Sequence, residues 1–387
     1  MFTNQIKGTS VLRQQHRIKL FNYIRENSPV TRVEMYKQTD ISKPTVTRVI
    51  NEFIQEKLVK EIGVEQTGSG RNPVMLALND TSYYAIGIYI TRRSIEVGLL
   101  NVNNELVYQK VVKGNFGHED VLLAMIVKMT EAVIDHSQLE DERILGIGIG
   151  SPGMIDSDQG LIRAYALDTH GQEIAIADYM KKRFPYPIFV DNNANIRALA
   201  EHWNGFGKGH NQVLSVICDQ GIGAGIIENN HLIRGKNNIT GEVGHMKVMM
   251  GGEACHCGGK GCVEAYSAIH AIEKQVTVMT GKVMNFEEIC QSYKQGHEVI
   301  QTIVDRSAEA IATMIANVVG VTNPEIIILS GGYFDTCEPL YQKVVERSKA
   351  LIYGIEYSNV QFFYRKNDAE IQTIGAALLV FEEIFDM

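Results

Sequence analysis

The 387-residue sequence lacks any apolar run of membrane-span length; its longest candidates, Ile144 to Ile149 and Ile326 to Leu329, are strand-sized. No apolar signal segment stands at its start, so the expected compartment is the cytoplasm, with no membrane partner and with disulfides disfavoured. Cysteine is scarce, six in all, and Cys218, Cys290 and Cys337 are isolated and read as core residues. Compositional bias is absent too. Hydrophobic content of 45% and charged content of 21% suit an ordinary globular protein, and the length suits two or three domains with a sizeable core.

The other three cysteines are concentrated. Gly241-Glu242-Val243-Gly244-His245 is followed by nine residues, then Cys255-His256-Cys257, four residues, Cys262, and Val263-Glu264. His245, Cys255, Cys257 and Cys262 offer one imidazole and three thiols in a loop, 245–262, too short to be a domain. Soft thiolates with an imidazole select zinc, and four protein ligands make a closed, structural, tetrahedral site. The alternatives are a disulfide or ordinary buried thiols; tight spacing in a cytosolic chain favours metal. His256 is a spare imidazole, the alternative ligand to His245. Glu242 and Glu264 flank the set, so the metal loop would also fix two carboxylates.

Net charge is -8, but unevenly spread. Residues 1–78 carry twelve Lys/Arg against seven Asp/Glu, the remainder 25 against 38. A basic head on an acidic body points to a polyanion partner for the head alone. Leu12 to Glu26 shows helical spacing; Thr31 caps a second helix, with Glu34 at the capping-box position. After a turn through Asp40-Ile41, Ser42 caps a third helix with Pro44 in its first turn. Val46, Val49, Ile50 and Phe53 form its buried stripe, while Lys43, Thr45, Thr47, Arg48 and Asn51 suit base edges in a major groove. Strands at Lys60 to Ile62 and Val74 to Leu78 would flank a wing, 67–72, whose Arg71 is a candidate for a minor groove. Residues 1–80 therefore read as a winged helix-turn-helix domain for double-stranded operator DNA. The competing reading is a helical dimerisation module.

From Tyr83 the pattern becomes α/β: strands at Ala85 to Ile90, Ser94 to Asn101 and Leu106 to Val112, a helix at Val121 to Ile134, and the apolar strand Ile144 to Ile149. A similar order recurs from Val213, with strands at Leu214 to Cys218, Gly223 to Glu228 and Leu232-Ile233, a helix at Ile300 to Val319 and a strand at Ile326 to Leu329. This duplication predicts two related lobes, 81–193 (completed by a helix at 370–387) and 194–369, with a small ligand in the cleft between them.

Gly148-Ile149-Gly150-Ser151-Pro152-Gly153, Asp191-Asn192-Asn193-Ala194-Asn195, Gly221-Ile222-Gly223-Ala224-Gly225, the Gly241 to His245 run, the cysteine loop and Leu329-Ser330-Gly331-Gly332 are singly weak motifs. In this order, behind a helix-turn-helix head, the chain resembles the ROK-family transcriptional repressors over nearly its whole length. The resemblance implies an actin-like, ribonuclease-H-like two-lobed sugar-kinase fold, with sugar contacts from the Gly153 backbone, Asn192, Asn193, Glu242, His245 and Glu264. It also implies where catalysis would reside. Tyr89-Ile90-Thr91-Arg92-Arg93 stands where the kinases have Asp-x-Gly-Gly-Thr, Asn193 replaces the general-base Asp, and Gln220 replaces a Thr in the second phosphate loop. An amide cannot take a hydroxyl proton at neutral pH, and Asp191 is displaced by two residues. The expectation is a non-enzymatic sensor, with a sugar kinase carrying a DNA-binding head as the alternative. The segment after Gly153 departs from the family, and Arg163 or His170 there would favour a phosphorylated or acidic sugar. The effector is thus a monosaccharide or sugar phosphate, the assembly a homodimer or dimer of dimers, and the linker near Leu76 to Tyr83 the route from body to head.

Overall fold

The computed structural model describes residues 9–64, 73–116, 118–164, 173–354 and 359–385. They pack as two units, one formed by the chain up to Asp191 together with Thr373 onward, the other by Asn192 to Gln372.

The first unit begins with α1 (Thr9–Asn27), β1 (Val30–Thr31), α2 (Arg32–Gln38) and α3 (Lys43–Gln55). The Thr31 hydroxyl accepts from the Glu34 amide while the Glu34 carboxylate accepts from the Thr31 amide, so both orphan donors at the start of α2 are satisfied. Ser42 occupies the cap position of α3 without bonding its backbone; its hydroxyl pairs with Thr45 Oγ1 at 3.0 Å instead, which corrects the capping role read for it. Val46, Val49, Ile50 and Phe53 are buried as their helical spacing demands. Strands β2 (Val59–Val64) and β3 (Val74–Leu78) pair antiparallel, and β1 joins on the other side of β3. The wing between them, with Arg71, lies outside the described residues. The expected linker also shortens: Leu76 to Leu78 belong to β3, and Asn79 is tied back through its amide to Leu58 O at 2.8 Å.

The sheet that follows has the order β10-β7-β4-β5-β6, from β4 (Tyr84–Ile90), β5 (Ser94–Asn101), β6 (Leu106–Lys113), β7 (Ile144–Ser151) and β10 (Ile188–Asn192). Three strands meander antiparallel, then β7 pairs parallel with β4 after the crossover helix α4 (Glu119–Ser137). A small hairpin, β8 (Met154–Asp156) and β9 (Leu161–Ala164), and the short α5 (Ile176–Lys181) sit between β7 and β10.

The second unit repeats the plan. After α6 (Asn193–Asn204) come β11 (Gln212–Cys218), β12 (Ile222–Glu228) and β13 (His231–Leu232), then α7 (Glu264–Ser267), α8 (Ile269–Thr280), α9 (Phe286–Lys294), α10 (Glu298–Thr322), β14 (Ile326–Ser330), α11 (Gly332–Thr336), α12 (Pro339–Leu351) and β15 (Gln361–Arg365). Its sheet order, β13-β12-β11-β14-β15, matches β6-β5-β4-β7-β10 strand for strand. The duplication seen as a faint pattern in the sequence is therefore topological.

Strand glycines in both sheets let a helix approach closely. A Cβ at Gly87 would lie 2.2 Å from Thr373 O, and one at Gly148 would lie 1.8 Å from Ala376 O, so α13 (Ala369–Phe385) rests backbone-to-backbone on β4 and β7. A Cβ at Gly225 would lie 2.4 Å from the Ala198 methyl, which seats α6 on β12 in the same way. The last turns of α13 also meet the head. Phe385 and Phe21 of α1 stack with centroids 4.2 Å apart, Arg25 lies over the Phe381 ring at 5.8 Å, and Arg25 donates to Asn104 Oδ1 at 2.6 Å.

Candidate ligand site, metal centre and DNA-binding face

The exposed face of α3 carries Lys43, Thr47, Arg48 and Asn51 in a line, with Thr45 half-buried beside Ser42. With Pro44, Glu52 and Gln55 they border a shallow hollow along the helix. Arg32, at the start of α2, donates to Asn51 Oδ1 at 3.4 Å, and Glu52 is gripped by Arg13 at 2.9 Å and Arg17 at 2.8 Å. Spacing placed the donors on one face. It gave no sign of the two arginines from α1 that hold a carboxylate at the end of that face.

The metal loop is built around positive-φ glycines. A Cβ at Gly261, φ +76°, would lie 1.7 Å from Met249 O, and Gly258 turns at φ +84° so that its amide reaches Cys255 O at 3.0 Å. Lys247 pairs with Cys262 and Ala254 with Lys260 in antiparallel bridges. The result gathers the ligand atoms of His245, Cys255, Cys257 and Cys262 within 4.8 Å of one another. Cys257 and Cys262 sulfurs are 3.7 Å apart, as are Cys255 Sγ and His245 Nδ1. Zinc–sulfur bonds of about 2.3 Å at a tetrahedral angle require edges of roughly 3.7 Å, so donor type and spacing both fit zinc. Lys247 Nζ stands 2.7 Å from Cys262 Sγ, a contact that the sequence did not reveal.

The loop brings Glu242, His245 and Glu264 together. Gly241, φ +93°, has no room for a side chain, since its Cβ would lie 1.9 Å from Ala224 O; this fixes Glu242 at the start of a 3-10 turn ending at His245. Burial pushes the Glu242 carboxyl above its ordinary range, with the Glu264 charge adding to the effect and His245 opposing it. Glu264 follows the last cysteine by two residues and is 8% exposed; its Oε2 accepts from the Ile222 amide at 3.1 Å, and its Oε1 lies 3.0 Å from His256 Nδ1.

Asn192 and Asn193 stand at the start of α6. The Asn192 side-chain oxygen accepts from the Asn195 amide at 2.8 Å, the normal use of an N-cap asparagine. Beneath α6 a buried Glu201 takes Arg365 Nε at 2.9 Å, with Arg197 at 3.5 Å, and so holds the helix to β15. Gly153, φ +106°, turns the chain from β7 into β8 in the first unit. Arg163, offered above as a phosphate ligand, is engaged by Asp156 at 2.5 Å and Glu173 at 2.7 Å, and His170 lies outside the described residues.

At the positions to which the family resemblance assigns nucleotide contacts, several polar groups already have partners within the fold. Tyr89 is buried in β4 opposite Glu96, and Thr91 Oγ1 accepts the amides of Arg93 at 3.1 Å and Ser94 at 2.8 Å. In the second hairpin, Asp219 takes the Gln220 amide at 2.8 Å and the Gly332 amide at 2.9 Å. Gly332 is the one backbone donor of the Ser330-Gly331-Gly332 turn seen to be consumed by a carboxylate. Asp219 was missed because no local pattern ties it to a residue more than a hundred positions away.

These features define a duplicated actin-like α/β protein with a helix-turn-helix head. The chain belongs to the ROK family, whose model matches residues 85–383. It is similar to the xylose repressor of Bacillus spizizenii, 27% identical over 371 residues that cover 95% of each chain. Among solved structures it resembles a ROK family transcriptional regulator, a homolog of the Escherichia coli MLC protein, with a TM-score of 0.79 at 21% identity, covering 97% of this chain and all of that one. It also resembles the ROK hexokinase of Thermus thermophilus, with a TM-score of 0.71 at 26% identity, covering 79% of this chain and all of that one. Among the described residues no helix is long and apolar enough to cross a membrane.

Proposed function

We propose that the protein is a sugar-responsive DNA-binding transcriptional regulator, a repressor of carbohydrate-utilisation genes. The observation that carries this reading is the pairing of an exposed donor face on α3 with a partly buried Glu242, His245 and Glu264 cluster fixed by a metal loop. Carboxylates grip vicinal hydroxyls directionally, and one left unpartnered rejects the wrong ligand. Zinc bound by His245, Cys255, Cys257 and Cys262 is structural here and supplies rigidity. Gly153, Asn192 and Asn193 complete the sugar set in this reading. The active species is a cytoplasmic homodimer, or a dimer of dimers, whose heads match operator symmetry. The kinase reading is disfavoured by Asn193, Tyr89, Gln220, the Thr91 hairpin and Asp219, and incubation with sugar and ATP should yield no sugar-dependent ADP.

Thermal stabilisation of the full chain against free and phosphorylated monosaccharides tests the reading, since a ligand of the native state raises the melting temperature with concentration. A hit that also changes operator affinity supports it; a flat panel defeats it. Glu242→Gln should weaken the hit by about 10- to 100-fold, the range for losing a charged hydrogen-bond partner, as read by calorimetric titration. Arg48→Ala should weaken operator binding by about 5- to 150-fold in a fluorescence titration at fixed salt, with effector-induced stabilisation intact. Equal operator affinity would remove Arg48 from the contact set.

A further inference from the structure

Glu264 is held by two partners of different kinds. The Ile222 amide that bonds Oε2 is backbone, buried in the turn into β12, and cannot leave without opening the β11–β12 pairing. The His256 ring, whose Nδ1 lies 3.0 Å from Oε1, is a side chain 64% exposed, on a loop tip between Cys255 and Cys257. The contact sets a carboxylate oxygen, which accepts, against a ring nitrogen that can donate. Rotation about its own side-chain torsions would take the ring into water. A carboxylate with one fixed and one removable donor is arranged for exchange: any hydroxyl that donates to Oε1 replaces the imidazole bond for bond.

We propose that His256 is a latch on the effector site, a positioning residue that occupies Oε1 of Glu264 until an effector hydroxyl takes that oxygen and expels the ring. The inference rests on Glu264 being a sugar-contacting residue. His256 in this role does not ligate the metal, since His245, Cys255, Cys257 and Cys262 already supply four ligand atoms within 4.8 Å of one another. Two consequences follow from its position. The latched carboxylate is partnered in the ligand-free protein, which stabilises an otherwise buried acid. The effector must compete with a tethered donor instead of water, so apparent affinity falls by the fraction of chains in which the latch is open.

Calorimetric titration of the full-length protein, His256→Ala and His256→Gln with the monosaccharide panel, together with zinc content, tests this. His256→Ala should retain its zinc and bind the effector about threefold tighter, the scale of an exposed ion pair. His256→Gln, whose amide also donates, should return affinity toward wild type. Equal or weaker binding by His256→Ala overturns the latch, and so does loss of its zinc, which would make His256 part of the metal site. If no monosaccharide binds either protein, the sugar reading of Glu264 fails and the latch with it. Binding that is equal in both sinks the latch alone.

Discussion

Cys262→Ser is expected to empty the metal loop and abolish the effector response in the same step. Cys262 is fully buried, stands 3.7 Å from Cys257 Sγ, and takes the Lys247 ammonium at 2.7 Å. A serine hydroxyl does not ionise at neutral pH and is a harder, weaker zinc ligand, and its loss also leaves Lys247 facing no thiolate. Structural zinc contributes on the order of 10 kcal/mol to small metal-folded modules, so three remaining ligands cannot hold the loop in register. The loop ends at His245 and Glu264, which would then lose their fixed separation. The measurable outcome is zinc content falling well below that of wild type, a lower melting temperature, and no further rise on adding effector. Operator binding should persist, because α1 to α3 belong to the first unit and the metal loop to the second. Retained zinc with normal regulation would dismiss the Cys3His assignment.

Gly148→Ala should be the most damaging single methyl in the first unit. Its Cβ would sit 1.8 Å from Ala376 O and 3.0 Å from Ala376 C, backbone atoms that no rotamer change can move. Relief requires lifting α13 from β7, which also disturbs Gly87, packed 2.2 Å from Thr373 O by the same measure. A cost of at least about 3 kcal/mol follows from overpacking of this kind. The contrast is Gly320→Ala in α10, where the added methyl meets nothing within 4 Å. There, alanine should stabilise by about 0.5–1 kcal/mol through helix propensity. Denaturant unfolding of both variants decides it: a tolerated Gly148→Ala would mean that α13 does not seat against β7 as described.

Local chemistry was legible in the sequence wherever a short stretch of chain determines it. The Val46 to Phe53 stripe follows from helical period, the Thr31–Glu34 box from a three-residue offset, and the clustering of His245, Cys255, Cys257 and Cys262 from cysteine spacing. What required the fold is whatever joins distant positions. Lys247 beside Cys262, Ile222 and His256 on Glu264, and Asp219 on Gly332 leave no periodic trace. The glycines are the instructive case. Gly221-Ile222-Gly223-Ala224-Gly225 reads as a ligand loop, yet Gly223 and Gly225 lie against Ala194 and Ala198 of α6. A missing side chain in a strand signals close approach of something, and the sequence alone does not say whether that is a phosphate or a helix.

The seat of the head on α13 has a consequence for biosynthesis. α1 leaves the ribosome well before Phe381 and Phe385, against which Arg25 and Phe21 pack and which emerge hundreds of residues later. At about 5–20 residues per second, the interval is on the order of tens of seconds. During that time the helix-turn-helix can fold on its own stripe, with Phe21 against Phe53, but Phe21 lacks its second aromatic neighbour and part of α1 stays open to water. A nascent chain, or one broken off before α13, thus carries the exposed donor face of α3 without the aromatic contacts that tie α1 to α13. Only a chain that extends through α13 can seat α1 on the Phe381 and Phe385 rings.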